Sequence, residues 1–148
     1  MDGNWGTREM ELIYGDKLVK EAVERIRKLD EKGKVQFITL YGSLVKSREG
    51  KLSDIDIAIY YDADARERFS FRVRAQGRLG GRFDIQIFQD LPTYVKKEIV
   101  SGGKVLFYKD YDFLFNVYLG TLREYSDFEK YLNTYYSYLE GVEIEEAR

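Results

Sequence analysis

The chain has 148 residues, with 24 Lys+Arg against 26 Asp+Glu and a formal net charge of −2, a length that suits one domain with a modest core. Cysteine and histidine are both absent, which excludes disulfides, Cys/His zinc sites, thiol nucleophiles and every histidine-based acid–base mechanism. Any chemistry must run on carboxylates, Lys/Arg, hydroxyls, backbone amides and a hard, oxygen-loving metal ion.

Apolar residues make up 44% and charged residues 34%, with a single Pro, a globular profile. No apolar run approaches the roughly 18 residues that a membrane span needs, and the acidic opening from Met1 to Glu11 does not read as a signal peptide. The expectation is a cytoplasmic protein that makes no use of a membrane. The near-balanced charge predicts no direct nucleic-acid binding.

Residues 1–15 have no clear period and are expected to form a flexible arm. From Asp16 to Lys32 the apolar residues Leu18, Val19, Ala22, Val23, Ile26 and Leu29 recur at spacings of three and four, which predicts a helix opened at Asp16 and stopped at Gly33. Val35 to Tyr41 is β-branched and aromatic and predicts a strand. Gly42-Ser43 and a short Lys/Arg-bearing segment follow, then Asp54 to Tyr61 alternates Asp and Ile as a second strand. Asp62 to Gly77 is polar and Arg-rich and predicts a helix, capped at Asp62 or Asp64.

Gly80-Gly81 turn the chain into a third strand, Arg82 to Phe88. Pro92 suits the first turn of a helix running to about Val100 and ended by Gly102-Gly103, and Lys104 to Tyr108 forms a short fourth strand. A long helical pattern then runs from Tyr111 to Leu139. The expected fold is α+β, a small mixed β-sheet with helices on one face plus a long C-terminal helix.

D-x-D occurs three times, so position has to decide what each pair does. Asp62/Asp64 and Asp110/Asp112 fall where helices begin, where acids cap free N–H groups and complement the helix dipole. Asp54/Asp56 lies on a strand, where residues two apart share a face, so both carboxylates project together while Ile55 and Ile57 face the core. Two like charges side by side are costly unless a cation lies between them, and Mg²⁺ is satisfied by one or two carboxylates plus water and phosphate oxygens. Asp84 supplies a third carboxylate, and if its strand neighbours the second, all three converge on one or two metal ions. A strand whose outer face is merely solvated is the plainer alternative.

Tyr41-Gly42-Ser43 sharpens the reading. A strand ending in Gly-Ser lets the backbone approach an anion closely, with amide N–H groups and the Ser43 hydroxyl turned toward it. Lys46 and Arg48 then stand within reach of phosphate charge. Gly42-Ser43, ten intervening residues, then Ser53-Asp54-Ile55-Asp56-Ile57 resembles the signature of the DNA polymerase β-like nucleotidyltransferase superfamily. Length and layout point to its minimal branch, the minimal nucleotidyltransferase (MNT) proteins, which act as antitoxins to HEPN-domain toxins.

The resemblance covers about Val35 to Tyr108. It implies that Gly42, Ser43, Lys46, Arg48 and Ser53 bind the nucleotide, that Asp54 and Asp56 ligate Mg²⁺, and that Asp84 completes the metal site and helps deprotonate the attacking hydroxyl. It further implies in-line attack on the α-phosphate of ATP, with a tyrosine of a partner HEPN toxin as acceptor. Residues 16–108 would be the nucleotidyltransferase domain and 109–148 a helical tail. Leu44 and Ser47 stand where the family often has Arg and Gly, which removes one bidentate phosphate contact. Two other readings share these residues: transfer to a small molecule, and a non-catalytic antitoxin that covers its partner.

The tail carries seven of the chain's 13 tyrosines between Tyr111 and Tyr138. At about 1.5 Å per residue this helix is roughly 43 Å long, against a radius of gyration of about 15 Å for a compact domain of this size. The stripe up to Leu122 is expected to pack on the chain's own core. Beyond Tyr125 the surplus of tyrosine points to a homodimer contact or a partner groove.

Overall fold

The computed structural model describes residues 16–42 and 54–141. The expected arm 1–15 and the segment from Ser43 to Ser53 lie outside the described residues. Helix α1 (Asp16–Leu29) buries Val19, Ala22, Val23 and Ile26 along one stripe, as a 3.6-residue repeat dictates. Beyond its end the Asp30 carboxylate accepts from the backbone N–H groups of Lys34 and Val35 at 2.9 and 2.8 Å. Those bonds set the turn into strand β1 (Val35–Tyr41).

Strand β2 (Ile55–Tyr61) pairs antiparallel with β1, and β3 (Phe83–Ile87) pairs parallel with β2. A tight turn cannot join parallel neighbours, so the chain crosses over through α2 (Ala65–Leu79). A 3₁₀ turn at Phe88–Asp90 and helix α3 (Thr93–Gly102) then return it to β4 (Lys104–Tyr108), antiparallel on the far side of β1. The strand order is β3-β2-β1-β4, and α4 (Tyr111–Leu139) completes the described chain.

Two of the three D-x-D pairs behave as helix starts. The Asp64 carboxylate accepts from the Glu67 N–H at 2.9 Å, and Asp110 caps α4 through the N–H groups of Asp112 and Phe113. Gly103 ends α3 where a Cβ would lie 2.8 Å from the backbone oxygens of both Ile99 and Leu40, so only glycine lets α3 close onto β1.

The α+β class, the mixed sheet and the long C-terminal helix are as the sequence predicts, but helices cover both faces rather than one. On the first face α1 and α2 pack on Ile38, Leu40, Ile55, Ile57, Ile59 and Ile85, with the Tyr61 and Phe71 rings stacked at 4.3 Å. On the second, α3 and α4 deliver Ile99, Leu114 and Tyr118 to Phe37 and Ala58. The physical reason is Phe37, a fully buried ring at the centre of an aromatic cluster. It meets Tyr60, Phe88 and Tyr118 at centroid distances of 5.2, 5.3 and 6.0 Å, and such a surface needs its own cover.

Only the first part of α4 contributes to that cover, through Phe113, Leu114, Val117, Tyr118 and the buried Thr121. The packing face is centred on Leu114, Val117 and Thr121, so of the stripe expected to pack up to Leu122, Tyr111, Phe115 and Leu122 stay exposed; beyond Tyr125 the face continues with Phe128, Tyr135, Tyr136 and Leu139, all exposed. Among the described residues no helix is long and apolar enough to cross a membrane. Phe37→Ala should lower unfolding free energy by about 3–5 kcal/mol, whereas Phe128→Ala should change it by less than about 0.5 kcal/mol. Urea unfolding followed by circular dichroism measures both.

Candidate functional site

The parallel register of β2 and β3 sets Asp56 directly against Asp84. Since Ile55, Ile57, Phe83 and Ile85 are buried on the opposite face, alternation turns both carboxylates to the same side. In the β1–β2 ladder Asp56 lies opposite Tyr41. Tyr41, Asp56 and Asp84 thus form one row across three strands. Asp54, just before β2, is exposed, and its charge is felt at Asp56.

The backbone around this row is held by one side chain of the crossover helix and one of β3. Gln76 of α2 donates to the Phe83 carbonyl at 2.6 Å and accepts from the Ile85 N–H at 2.9 Å. It satisfies the sheet-edge groups on either side of Asp84 and fixes that residue's backbone. Gln86, two residues on and facing the same way, donates to Asp84 Oδ1 at 3.0 Å. Gly42 follows Tyr41 with φ +84°, and a Cβ there would collide with Asp56 Oδ2 and lie 3.1 Å from its Cγ. Both the backbone conformation and the approach of the carboxylate require glycine at this place.

The row is a focus of negative charge. The Asp56 carboxyl is pushed up to about 6, first by burial, then by the charges of Asp84 and Asp54, a side-chain hydrogen bond with Asp84, and Glu98. The Tyr41 hydroxyl is held far above its usual range by burial and by Asp56, Asp84 and Glu98. Among the described residues no Lys or Arg forms an ion pair with Asp56 or Asp84.

Two of the three expected carboxylates therefore come together and the third does not. Among the described residues no group of three His, Cys, Asp or Glu side chains forms a ready metal cage. Asp56 and Asp84 lie side by side in register on one face of the sheet. A hard divalent cation fits this pair. The donors are carboxylate oxygens, two such groups suffice for Mg²⁺, and a cation there would relieve the repulsion that adds to burial in raising Asp56.

Ser43, Lys46, Arg48 and Ser53, with the departures Leu44 and Ser47, lie outside the described residues. Sequence reasoning missed Tyr41, Glu98, Gln76 and Gln86. The parity of Gln86 with Asp84, and the place of Tyr41 next to Gly42, were signals available in the strands. Glu98 and Gln76 reach the site from helices α3 and α2 and carry no local signal.

Residues 24–112 match the family described as polymerase beta, nucleotidyltransferase. A Methanocaldococcus jannaschii protein named as a candidate protein adenylyltransferase is 42% identical over 74 residues, which cover 50% of this chain and 57% of that protein. The chain thus spans little more than half the length of that curated relative. Among solved structures, a toxin–antitoxin complex with AMP-PNP aligns at TM-score 0.62 with 20% identity, covering 82% of this chain and 98% of the matched one. A Shewanella oneidensis complex of a tri-AMPylated HEPN toxin with an MNT antitoxin aligns at 0.58 with 21% identity over the same shares. At these identities the likeness is one of fold.

The raised Asp56 has a consequence for stability. A carboxyl that holds its proton more tightly in the fold than in the unfolded chain favours folding below its ordinary value of 3.8. That contribution is lost as pH rises from there through about 6. In EDTA, Asp56→Asn should therefore have a higher Tm than the parent at pH 7.5, the gap closing by pH 4. Calorimetry at the two pH values checks this, and a lower Tm for the variant at pH 7.5 contradicts it.

Proposed function

The chain belongs to the polymerase β nucleotidyltransferase family, and from that premise we propose that it transfers AMP from ATP to a tyrosine hydroxyl of a partner HEPN toxin, as its antitoxin. The observation that carries this reading is the Asp56–Asp84 pair, two facing carboxylates without a cationic partner beside the glycine turn at Gly42. The relative named as a protein adenylyltransferase, and the fold shared with an antitoxin bound to an AMPylated toxin, support the choice of a protein acceptor.

In this reading Asp54, Asp56 and Asp84 would hold Mg²⁺. Bound there, Mg²⁺ supplies positive charge that neutralises the triphosphate and the leaving pyrophosphate. Gly42 and Ser43 present amide N–H groups and a hydroxyl to the triphosphate, Ser53 adds a second hydroxyl, and Lys46 and Arg48 add cationic contacts. The acceptor oxygen attacks the α-phosphorus in line; a new O–P bond forms as the bond to the β-phosphate oxygen breaks. Asp84 takes the proton of the acceptor hydroxyl. Gln86 and Gln76 keep that carboxylate on its face of the sheet. A reaction that draws on ATP fits a cytoplasmic setting.

The test is incubation with ATP labelled at the α-phosphate, Mg²⁺ and a partner HEPN toxin. Label should appear on that protein, and Asp56→Asn or Asp84→Asn should reduce it by about 100-fold or more, the scale of losing a charge-stabilising group, with circular dichroism unchanged. No label despite demonstrated Mg-ATP binding would overturn the protein-acceptor reading.

A further inference from the structure

Helix α2 carries a concentration of charge that the site does not use. Residues 66–82 hold six of the chain's 12 arginines, no lysine and one acid, Glu67. Arg68 is engaged, donating through Nη2 and Nε to Asp90 at 2.8 and 3.2 Å and through Nη1 to the Ala63 carbonyl. Arg66, Arg72, Arg74 and Arg78 form no ion pair with any described residue, although the chain has more acids than bases. Arg74 and Arg78 are four apart on the helix, a like-charge spacing that weakens it.

Apolar surface lies among these arginines. Phe69 is 60% exposed and Val73 49%; they are four residues apart and share the outward side of α2, opposite Phe71, Ala75 and Leu79. Arginine with an exposed aromatic, and lysine absent, is the composition of a protein contact. The carboxylate row sits on the other face of the sheet, so this surface is separate from it.

The distal half of α4 offers the complement. Between Glu124 and Glu140 there are four acids against one lysine. Tyr125, Phe128, Leu132, Tyr135, Tyr136 and Leu139 continue the stripe whose earlier part packs on the body, with Glu124 along one border and Glu129 and Glu140 along the other. Residues 125–139 and α2 are both 15 residues long, about 22 Å each at helical rise.

We propose that a second copy of this chain covers the outward side of α2, with the distal half of α4 from each copy lying across α2 of the other. Phe69 and Val73 meet the tyrosine stripe, while Arg66, Arg72 and Arg74 face the acidic borders. Reciprocal exchange closes a two-fold dimer that contains the contact twice.

Sedimentation velocity of the full chain tests this. At 50 mM NaCl a dimer of twice 17.5 kDa is expected, its Kd rising about tenfold by 300 mM as the charges are screened. Arg66→Glu/Arg74→Glu and, separately, Glu124→Lys/Glu129→Lys should each weaken it by about 100-fold or more. All four changes in one chain should restore the dimer, which a merely misfolded surface would not do. A monomer at every salt concentration, a dimer indifferent to the swaps, or no recovery in the fourfold variant overturns the proposal. So does a chain that stays monomeric while binding oligo(A) RNA through the same arginines.

Discussion

Two carboxylates held face to face across a parallel strand pair are the constraint around which the rest of this fold is arranged. Parallel register sets Asp56 against Asp84, and in water their charges would drive them apart. They stay because their strands are fixed from behind by Ile55, Ile57, Ile59, Ile85 and Ile87, all buried against α1 and α2. A one-residue slip of β2 or β3 would turn those isoleucines to the opposite face, away from α1 and α2, so register is dictated by burial and the acidic row follows from it. The raised carboxyl of Asp56 reflects burial first and, after it, the charges of Asp84 and Asp54.

The surroundings are tuned to the same pair. Gln76 occupies the hydrogen-bonding groups flanking Asp84, and Gln86 holds one carboxylate oxygen. Gly42 leaves the room that Asp56 needs. On the same face the Phe37 cluster, roofed by α3 and α4, leaves the row beside it; half-buried Tyr41 packs on that cluster and also lies next to Asp56. One face of the sheet thus holds both a closed aromatic core and an acidic row. The division follows each strand's sequence: Phe37 and Ala58 sit toward one end, Tyr41 and Asp56 toward the other.

Much of this was legible in the chain because it was written in short periods. The alternation of Asp54 to Tyr61, the stripe of α1 and the caps at Asp64 and Asp110 depend on neighbours within four residues. The same holds for α4, whose bounds at Tyr111 and Leu139 agree with the pattern. What escaped depended on distant contacts. The covering of both faces rests on Phe37 meeting Phe88 and Tyr118, and the entries of Gln76 and Glu98 rest on how α2 and α3 cross the sheet. The sequence could not separate the places of the three aspartates: Asp54 precedes the paired part of β2, while Asp56 and Asp84 lie within it, opposite each other.

The central claim is that Asp56 and Asp84 form the cation-holding part of a nucleotide site. Electron paramagnetic resonance of Mn²⁺, titrated with the full chain and ATP at pH 7.5, reads it directly. The account predicts that the free Mn²⁺ signal falls with the parent protein beyond what ATP alone removes, and that Asp56→Asn and Asp84→Asn abolish the extra loss. An extra loss that persists undiminished in both variants, or none with the parent, would contradict it.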